Sequence, residues 1–243
     1  MQPNIKLVAF DLDGTLTQHK TPLGPENRQV LDELSRRYRL LMVGAGSALR
    51  IFRQLEGYPI DILGNYGLQT GLYNHETGEL DIVSDVHVPC DRAEIGRRIE
   101  ALRQRFGFTQ YAGESVEYHN SGCVTFPLLG TKADLADKLA FDPDRSRRRA
   151  IYQEVVDAFP DYTAFVGGSS SFDFAPLPYN KYLALDRYCT QLGLRHEEVA
   201  YVGDDYGPGG NDSSVYNTDF HFFPIDDYRQ LRNVLQPLLD ETN

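Results

Sequence analysis

Four short runs of this chain are almost wholly apolar and do not alternate: Ile5 to Phe10, Leu40 to Val43, Ile60 to Leu63 and Val199 to Val202. A strand with one face in water carries polar residues at every second position, so runs of this kind belong to strands buried on both faces. Such strands need helices on both sides of their sheet, and the sequence supplies them. Pro25 followed by Val30, Leu31, Leu34 and Tyr38 predicts a helix from about Pro25 to Arg37. Ser47 stands as an N-cap before Ile51, Phe52 and Leu55. Asn180-Lys181 opens a helix closed by Gly193, and Asp226 to Leu239 reads as a closing amphipathic helix. Strand alternating with helix predicts an α/β fold with a doubly wound, mostly parallel sheet as its core, whose ligands sit beyond the carboxyl ends of the strands.

The rhythm changes after Asn65. Leu68 to Leu72 and Leu80 to Val83 flank Asn74-His75-Glu76-Thr77-Gly78, which predicts a hairpin. From Asp91 the pattern predicts a helix through Ile95, Ile99, Leu102 and Phe106, then strands at Ser115 to Tyr118 and Cys123 to Phe126. A helix through Ile151, Val155 and Phe159 and strands at Tyr162 to Val166 and Phe172 to Ala175 follow. Long helices beside antiparallel strands predict a separate α+β unit. The expected organisation is a catalytic core over residues 1–85 and 178–243, with an inserted α+β domain over 86–177 and hinges near 83–90 and 174–180.

The chain has 243 residues, with 35 acidic against 24 basic side chains, a net charge of −11. A protein that recruits nucleic acid or an anionic membrane needs a basic surface, so neither partner is expected. Cys90, Cys123 and Cys189 are odd in number and widely spaced, which speaks against a disulfide framework or a structural zinc. The short apolar run near the N-terminus does not suffice for a signal segment, and no run of ~18 apolar residues occurs. A soluble protein of a reducing compartment, the cytoplasm, is expected.

Chemistry concentrates where the buried runs end. Asp11 and Asp13 follow the first run, two residues apart on an extended chain, so both project into one crevice. Like charges so close need a cation or a shared proton. An EF-hand reading of Asp-x-Asp-Gly competes, but Gly14 comes too early, Lys20 follows, and a strand rather than a helix precedes. A purely structural Asp-Gly turn is the other alternative. The second acidic turn, Gly203-Asp204-Asp205 through Gly209-Gly210-Asn211-Asp212, follows the last buried run, and Asn211 or Asp212 can also cap the next helix. Two acidic turns at strand ends converge on one crevice and suit Mg²⁺, a hard ion that takes a few carboxylates, waters and a phosphate oxygen. Lys181 sits in a first helical turn, where a positive charge opposes the helix dipole and so has another reason to be there.

In this order the motifs resemble the haloacid dehalogenase superfamily of phosphotransferases, and within it the eukaryotic-type phosphomannomutases and their bacterial phosphatase relatives. The resemblance rests on Phe10-Asp11-Leu12-Asp13-Gly14-Thr15-Leu16-Thr17, Val43-Gly44-Ala45-Gly46-Ser47 and Asn65-Tyr66-Gly67-Leu68. It continues through Gly167-Gly168-Ser169-Ser170-Ser171-Phe172-Asp173-Phe174, Asn180-Lys181, and Gly203-Asp204 with Pro208-Gly209-Gly210-Asn211-Asp212. It covers nearly the whole chain and makes the inserted domain a cap. It implies Asp11 as nucleophile, Asp13 as general acid/base and metal contact through its backbone carbonyl, and Asp204 as metal ligand. Ser47 and Lys181 would hold the phosphoryl group, and Asn65, Ser171 and Asp173 would contact the sugar.

A mutase also needs a second phosphate site, because it rebinds its sugar bisphosphate in a flipped orientation. The resemblance places arginines for that purpose where this chain has His119 and Thr131. Arg145, Arg147, Arg148 and Arg149 could replace them, although a charge run opening a helix is usually a solvated face. The expected activity is therefore a Mg²⁺-dependent sugar-phosphate phosphatase, with phosphomannomutase as the alternative. A phosphoacceptor signalling domain is a third possibility, disfavoured by the Asp-x-Asp pair and the large insert.

Overall fold

The computed structural model describes residues 4–240, which divide into two compact units. One comprises the chain up to Asp85, Lys181–Gly207 and the chain from Asp212. The other comprises Val86–Asn180 with Pro208–Asn211.

The first unit is built on a seven-stranded sheet. In chain order its strands are β1 (Leu7–Phe10), β2 (Arg39–Val43), β3 (Asp61–Gly64), β4 (Gln69–Asn74) and β5 (Glu79–Asp85), then β10 (Val199–Gly203) and β11 (His221–Pro224). The spatial order is β11-β10-β1-β2-β3-β4-β5, parallel from β11 to β3 and closed at the far edge by the antiparallel hairpin β4–β5. The apolar runs divide their residues between two cores, as a period of two requires. Val8, Phe10, Met42, Ile62 and Val202 pack on one face with Val30, Leu31 and Leu34 of α1 (Pro25–Leu34) and with Ile51 and Phe52 of α2 (Ala48–Gln54). Leu7, Ala9, Leu41, Val43 and Tyr201 pack on the other. There they meet Ala184, Leu185 and Cys189 of α7 (Lys181–Leu192) and Val215 of α8 (Ser213–Tyr216).

Two expectations need correction here. The closing helix over Asp226 to Leu239 is broken into a 3-10 turn, Tyr228–Gln230, and two short helices, α9 (Leu231–Val234) and α10 (Gln236–Leu239). Pro237 explains the break: it has no amide hydrogen to donate to a preceding turn, so it stands in the first turn of α10, where none is required. Leu231, Leu235 and Leu238 still reach the core. The edge strand β11 was not anticipated, because it pairs with β10 on one side only and carries a half-exposed His-Phe-Phe-Pro sequence.

The second unit has a four-stranded antiparallel sheet in the order β6-β7-β9-β8, from β6 (Glu117–Tyr118), β7 (Val124–Pro127), β8 (Tyr162–Gly167) and β9 (Ser171–Pro176). Its core joins Val124, Phe126, Phe172 and Phe174 to Ile95, Ile99 and Leu102 of α3 (Arg92–Phe106) and to Val155 of α6 (Tyr152–Ala158). Asp91 caps α3 by accepting from Glu94 N at 3.0 Å. Two short helices, α4 (Leu135–Phe141) and α5 (Ser146–Ala150), fill the stretch between β7 and α6.

Helix α5 carries the arginine run, and it is not simply a solvated face. Arg148 is 1% exposed. Its Nε donates to Asp142 Oδ2 at 2.8 Å and its Nη1 to the carbonyls of Gly167, Gly168 and Ser171 at 2.6, 3.1 and 3.1 Å. The guanidinium's fixed fork of donors ties the 141–148 bend to the turn between β8 and β9. All three cysteines are free thiols. Among the described residues no helix is long and apolar enough to cross a membrane.

Candidate active site

Asp11 follows β1 directly and Asp204 follows β10 directly. The two strands are parallel neighbours with Phe10 opposite Val202, and Asp11 N donates to Val202 O at 2.9 Å. Strand β1 is also where the winding reverses, with β2 and β3 on one side and β10 and β11 on the other. Adjacent loops there lead away from each other and open a crevice. Asp204 enters it beside Gly14, whose φ is +101° and whose missing Cβ would lie 2.5 Å from Asp204 Cγ. Only glycine suits that conformation and leaves room for the carboxylate. Thr15 Oγ1 donates to Asp204 Oδ1 at 3.3 Å.

Lys181, the first residue of α7, is fully buried and lies between two carboxylates. Its Nζ donates to Asp11 Oδ1 at 2.5 Å and to Asp212 Oδ1 at 2.8 Å. Asp212 Oδ1 also accepts from the Tyr201 hydroxyl at 2.6 Å, and its Oδ2 from Asp205 N at 3.0 Å. The expected helix cap is therefore not what Asp212 does: it precedes α8, but its side chain makes no capping bond. It is the site residue that sequence reasoning missed, and the signal was its place at the end of the second acidic turn.

Ligand oxygens of Asp11, Asp204 and Asp212 all lie within 4.8 Å of one another. Three carboxylates against one ammonium leave the group with surplus negative charge. Burial pushes the Asp11 carboxyl well above its ordinary range; Lys181 opposes this, while Asp212 and Asp204 push in the same direction as burial. Burial pulls Lys181 down, but attraction to Asp11 and Asp212 outweighs it and holds the ammonium charged. Burial, reinforced by Asp212, pushes the Tyr201 phenol up, so Tyr201 is a neutral donor. Hard oxygen donors with surplus negative charge fit a divalent hard cation. Asp11 and Asp204, which follow the neighbouring strands β1 and β10 directly, are the side chains that would hold it, with Asp212 in the same group.

The Asp13 carboxylate is not a member of that group. Its Oδ1 accepts from Gln54 Nε2 and from Lys20 N, both at 2.7 Å. Its Oδ2 lies 3.9 Å from His19 Nδ1 and 4.0 Å from Arg50 Nη2. Ser47 takes the N-cap position of α2 without a side-chain capping bond. Asn65 starts the 3-10 turn after β3, and its backbone N donates to Gly46 O at 2.8 Å, which ties the turns after β2 and β3 together. Ser171 and Asp173 belong to the second unit, on β9. Ser171 Oγ donates to Gly167 O at 3.0 Å, and Asp173 Oδ1 accepts from Thr125 Oγ1 at 2.8 Å. Burial pushes Asp173 up, and the Thr125 bond opposes it.

No family model matches the chain. A probable phosphomannomutase of Caenorhabditis elegans is 26% identical over 250 residues, covering 96% of each chain. The phosphomannomutase of Saccharomyces cerevisiae is 25% identical over 221 residues, covering 86% of this chain and 84% of its own. Among solved structures, a phosphatase of the haloalkanoate (HAD) enzyme superfamily from Bacteroides thetaiotaomicron shares the fold with a TM-score of 0.62 at 16% identity, over 96% of this chain and 95% of its own. Over nearly its whole length the chain is thus similar in sequence to phosphomannomutases, and it shares the fold of a phosphatase of the HAD superfamily.

Proposed function

We propose that this protein transfers the phosphoryl group of a sugar phosphate through an aspartyl phosphate on Asp11, with Mg²⁺ as cofactor and water as the final acceptor. The observation that carries it is the buried Lys181 shared by Asp11 and Asp212, with Asp204 alongside. A carboxylate that attacks a phosphate meets like charge, and Lys181 offsets that repulsion at Asp11 itself. Bound by Asp11 and Asp204, Mg²⁺ would supply the remaining positive charge needed on the phosphoryl oxygens. Asp11 takes the phosphoryl group and so divides one difficult displacement into two easier ones. Asp13, with Oδ1 held by Gln54 and Lys20 N, gives a proton to the leaving sugar oxygen and later takes one from the acceptor. Ser171 and Asp173 of the inserted unit are the residues proposed to read sugar hydroxyls, and Ser47 and Asn65 of the first unit are proposed as phosphate and sugar contacts.

The names of the relatives favour a second reading, phosphomannomutase, in which the acceptor is the sugar itself. They support it more directly than they support hydrolysis. The insert's own side chains favour water. By the resemblance, His119 and Thr131 fall where a mutase would carry arginines. His119 Nε2 pairs with Thr125 Oγ1 at 3.1 Å, and Thr131 Oγ1 accepts from Glu114 N at 2.9 Å. Arg148 spends its donors on the Asp142 carboxylate and four backbone carbonyls. Side chains that hold a second phosphate decide the acceptor, and similarity at about a quarter identity does not.

The test is to incubate the protein with Mg²⁺ and mannose 1-phosphate, with and without a hexose 1,6-bisphosphate. Inorganic phosphate should form faster than mannose 6-phosphate, with no stimulation by the bisphosphate. Bisphosphate-stimulated formation of mannose 6-phosphate would install the mutase reading instead. Asp11→Asn should abolish either activity, and turnover within tenfold of the unaltered protein would remove the aspartyl phosphate from the mechanism.

A further inference from the structure

Tyr201 is the polar exception inside a buried run. It lies in the middle of β10, between Ala200 and Val202, with no exposed surface. A buried phenol needs a partner, and this one donates to Asp212 Oδ1 at 2.6 Å. The fit is built from both sides. A Cβ on Gly203 would lie 2.6 Å from Asp212 Oδ2 and 2.9 Å from Tyr201 Cε1, so the glycine makes room for the carboxylate and the ring edge together.

The three donors on Asp212 have different reach. Asp205 N is fixed by the backbone and Tyr201 by its strand, whereas Lys181 Nζ sits on a flexible stem and is shared with Asp11. A buried carboxylate that loses one donor draws harder on those that remain. Without the phenol, the donor able to respond is Lys181, and it would move toward Asp212 at the expense of Asp11.

We infer that Tyr201 is a positioning residue for phosphoryl transfer: by satisfying Asp212 it holds Lys181 evenly between Asp212 and the nucleophile Asp11. The inference rests on the aspartyl-phosphate reading. It makes Asp212 the anchor of the lysine, and it leaves cation binding to Asp11 and Asp204.

The decisive variant is Tyr201→Phe, which keeps the ring and removes only the hydroxyl. Phosphoryl transfer from mannose 1-phosphate, summed over inorganic phosphate and mannose 6-phosphate, should show kcat lowered by about tenfold with KM within twofold. Asp212→Asn should be slower still, and adding Tyr201→Phe to it should cost no more than a further twofold, because the hydroxyl acts through that carboxylate. Mg²⁺ affinity, measured by calorimetry on protein without substrate, should be the same in the unaltered protein and in Tyr201→Phe. A kcat at the unaltered level, or losses that multiply fully in the double variant, would overturn the inference while leaving the mechanism standing. So would an Mg²⁺ affinity that falls in step with kcat, since Asp212 would then be holding the cation. Absence of turnover by the unaltered protein would remove the phosphoryl-transfer reading, and the inference with it.

Discussion

Lys181 in the first unit and Arg148 in the second are both buried cations, and their surroundings are opposite. In the first unit Lys181 is shared by two carboxylates with a third nearby, so its charge is outnumbered. In the second unit Arg148 has one carboxylate, Asp142, and otherwise neutral backbone carbonyls, so charge is balanced and its remaining bonds hold backbone. A buried ammonium on a flexible stem can follow charge as it moves from one oxygen to another. A guanidinium fixed by five donors in a plane cannot, and it serves instead to join chain segments. Burial of a charge is thus no sign of catalysis by itself; what separates the two is whether the partners leave charge uncompensated.

The largest effect that tests this contrast is in rate. Lys181→Met should lower kcat by roughly 10²–10³-fold with Mg²⁺ saturating, because repulsion between Asp11 and the phosphate is no longer offset at the nucleophile. Loss of folding without loss of specific activity in the remaining native fraction would break the comparison on the lysine side.

Arg148→Met should act mainly on stability. It leaves Asp142 buried without its cation and frees four carbonyls, a loss of about 3–5 kcal/mol, seen as a melting temperature lower by roughly 10 °C. Native-state kcat should change far less than in Lys181→Met. A variant that melts normally and yet fails to turn over would move Arg148 from the scaffold to the site.

The smallest effect concerns a charge near the surface of the first unit. His196 Nδ1 faces Asp219 Oδ1 at 2.6 Å and Nε2 faces Asp186 Oδ1 at 2.9 Å, over the ring of Phe220. Both nitrogens donate only in the protonated ring. Burial pulls the imidazole down, but the two carboxylates outweigh it and hold its pKa above the ordinary histidine value. The folded-state pKa is raised, so this stabilisation is full below the unfolded value of about 6.5 and is lost as pH rises through the folded one. Melting curves of the unaltered protein and His196→Gln should therefore differ by about 2 °C at pH 6 and converge at high pH. A difference that grows with pH would reverse the sign and refute the assignment.

Much of the first unit was legible because its signals are local. A run such as Ile5 to Phe10 states by its composition that both faces are covered, and the turn that ends it carries Asp11 whatever the rest of the chain does. The hairpin at Asn74 to Gly78 is local in the same sense, and so, in the second unit, is the helical spacing of Ile95, Ile99 and Leu102 in α3. Edge strand β11 was not legible, since a strand paired on one side and half exposed needs no continuous apolar run. The break at Pro237 was legible in principle, but the helical spacing of Leu231, Leu235 and Leu238 overrode it.

By itself, then, the order of apolar runs and acidic turns determined that Asp11 and Asp204 lie at strand ends in a sheet covered on both faces, because strand period and turn chemistry act within a few residues. Only the tertiary structure decided which charges meet. Lys181 reaches Asp11 from 170 positions away along the chain, Tyr201 and Lys181 converge on Asp212, and Arg148 turns from a surface run into the interior. The physical reason is that a side chain's charge is visible in the sequence, whereas its dielectric surroundings and partners exist only once distant segments have packed around it.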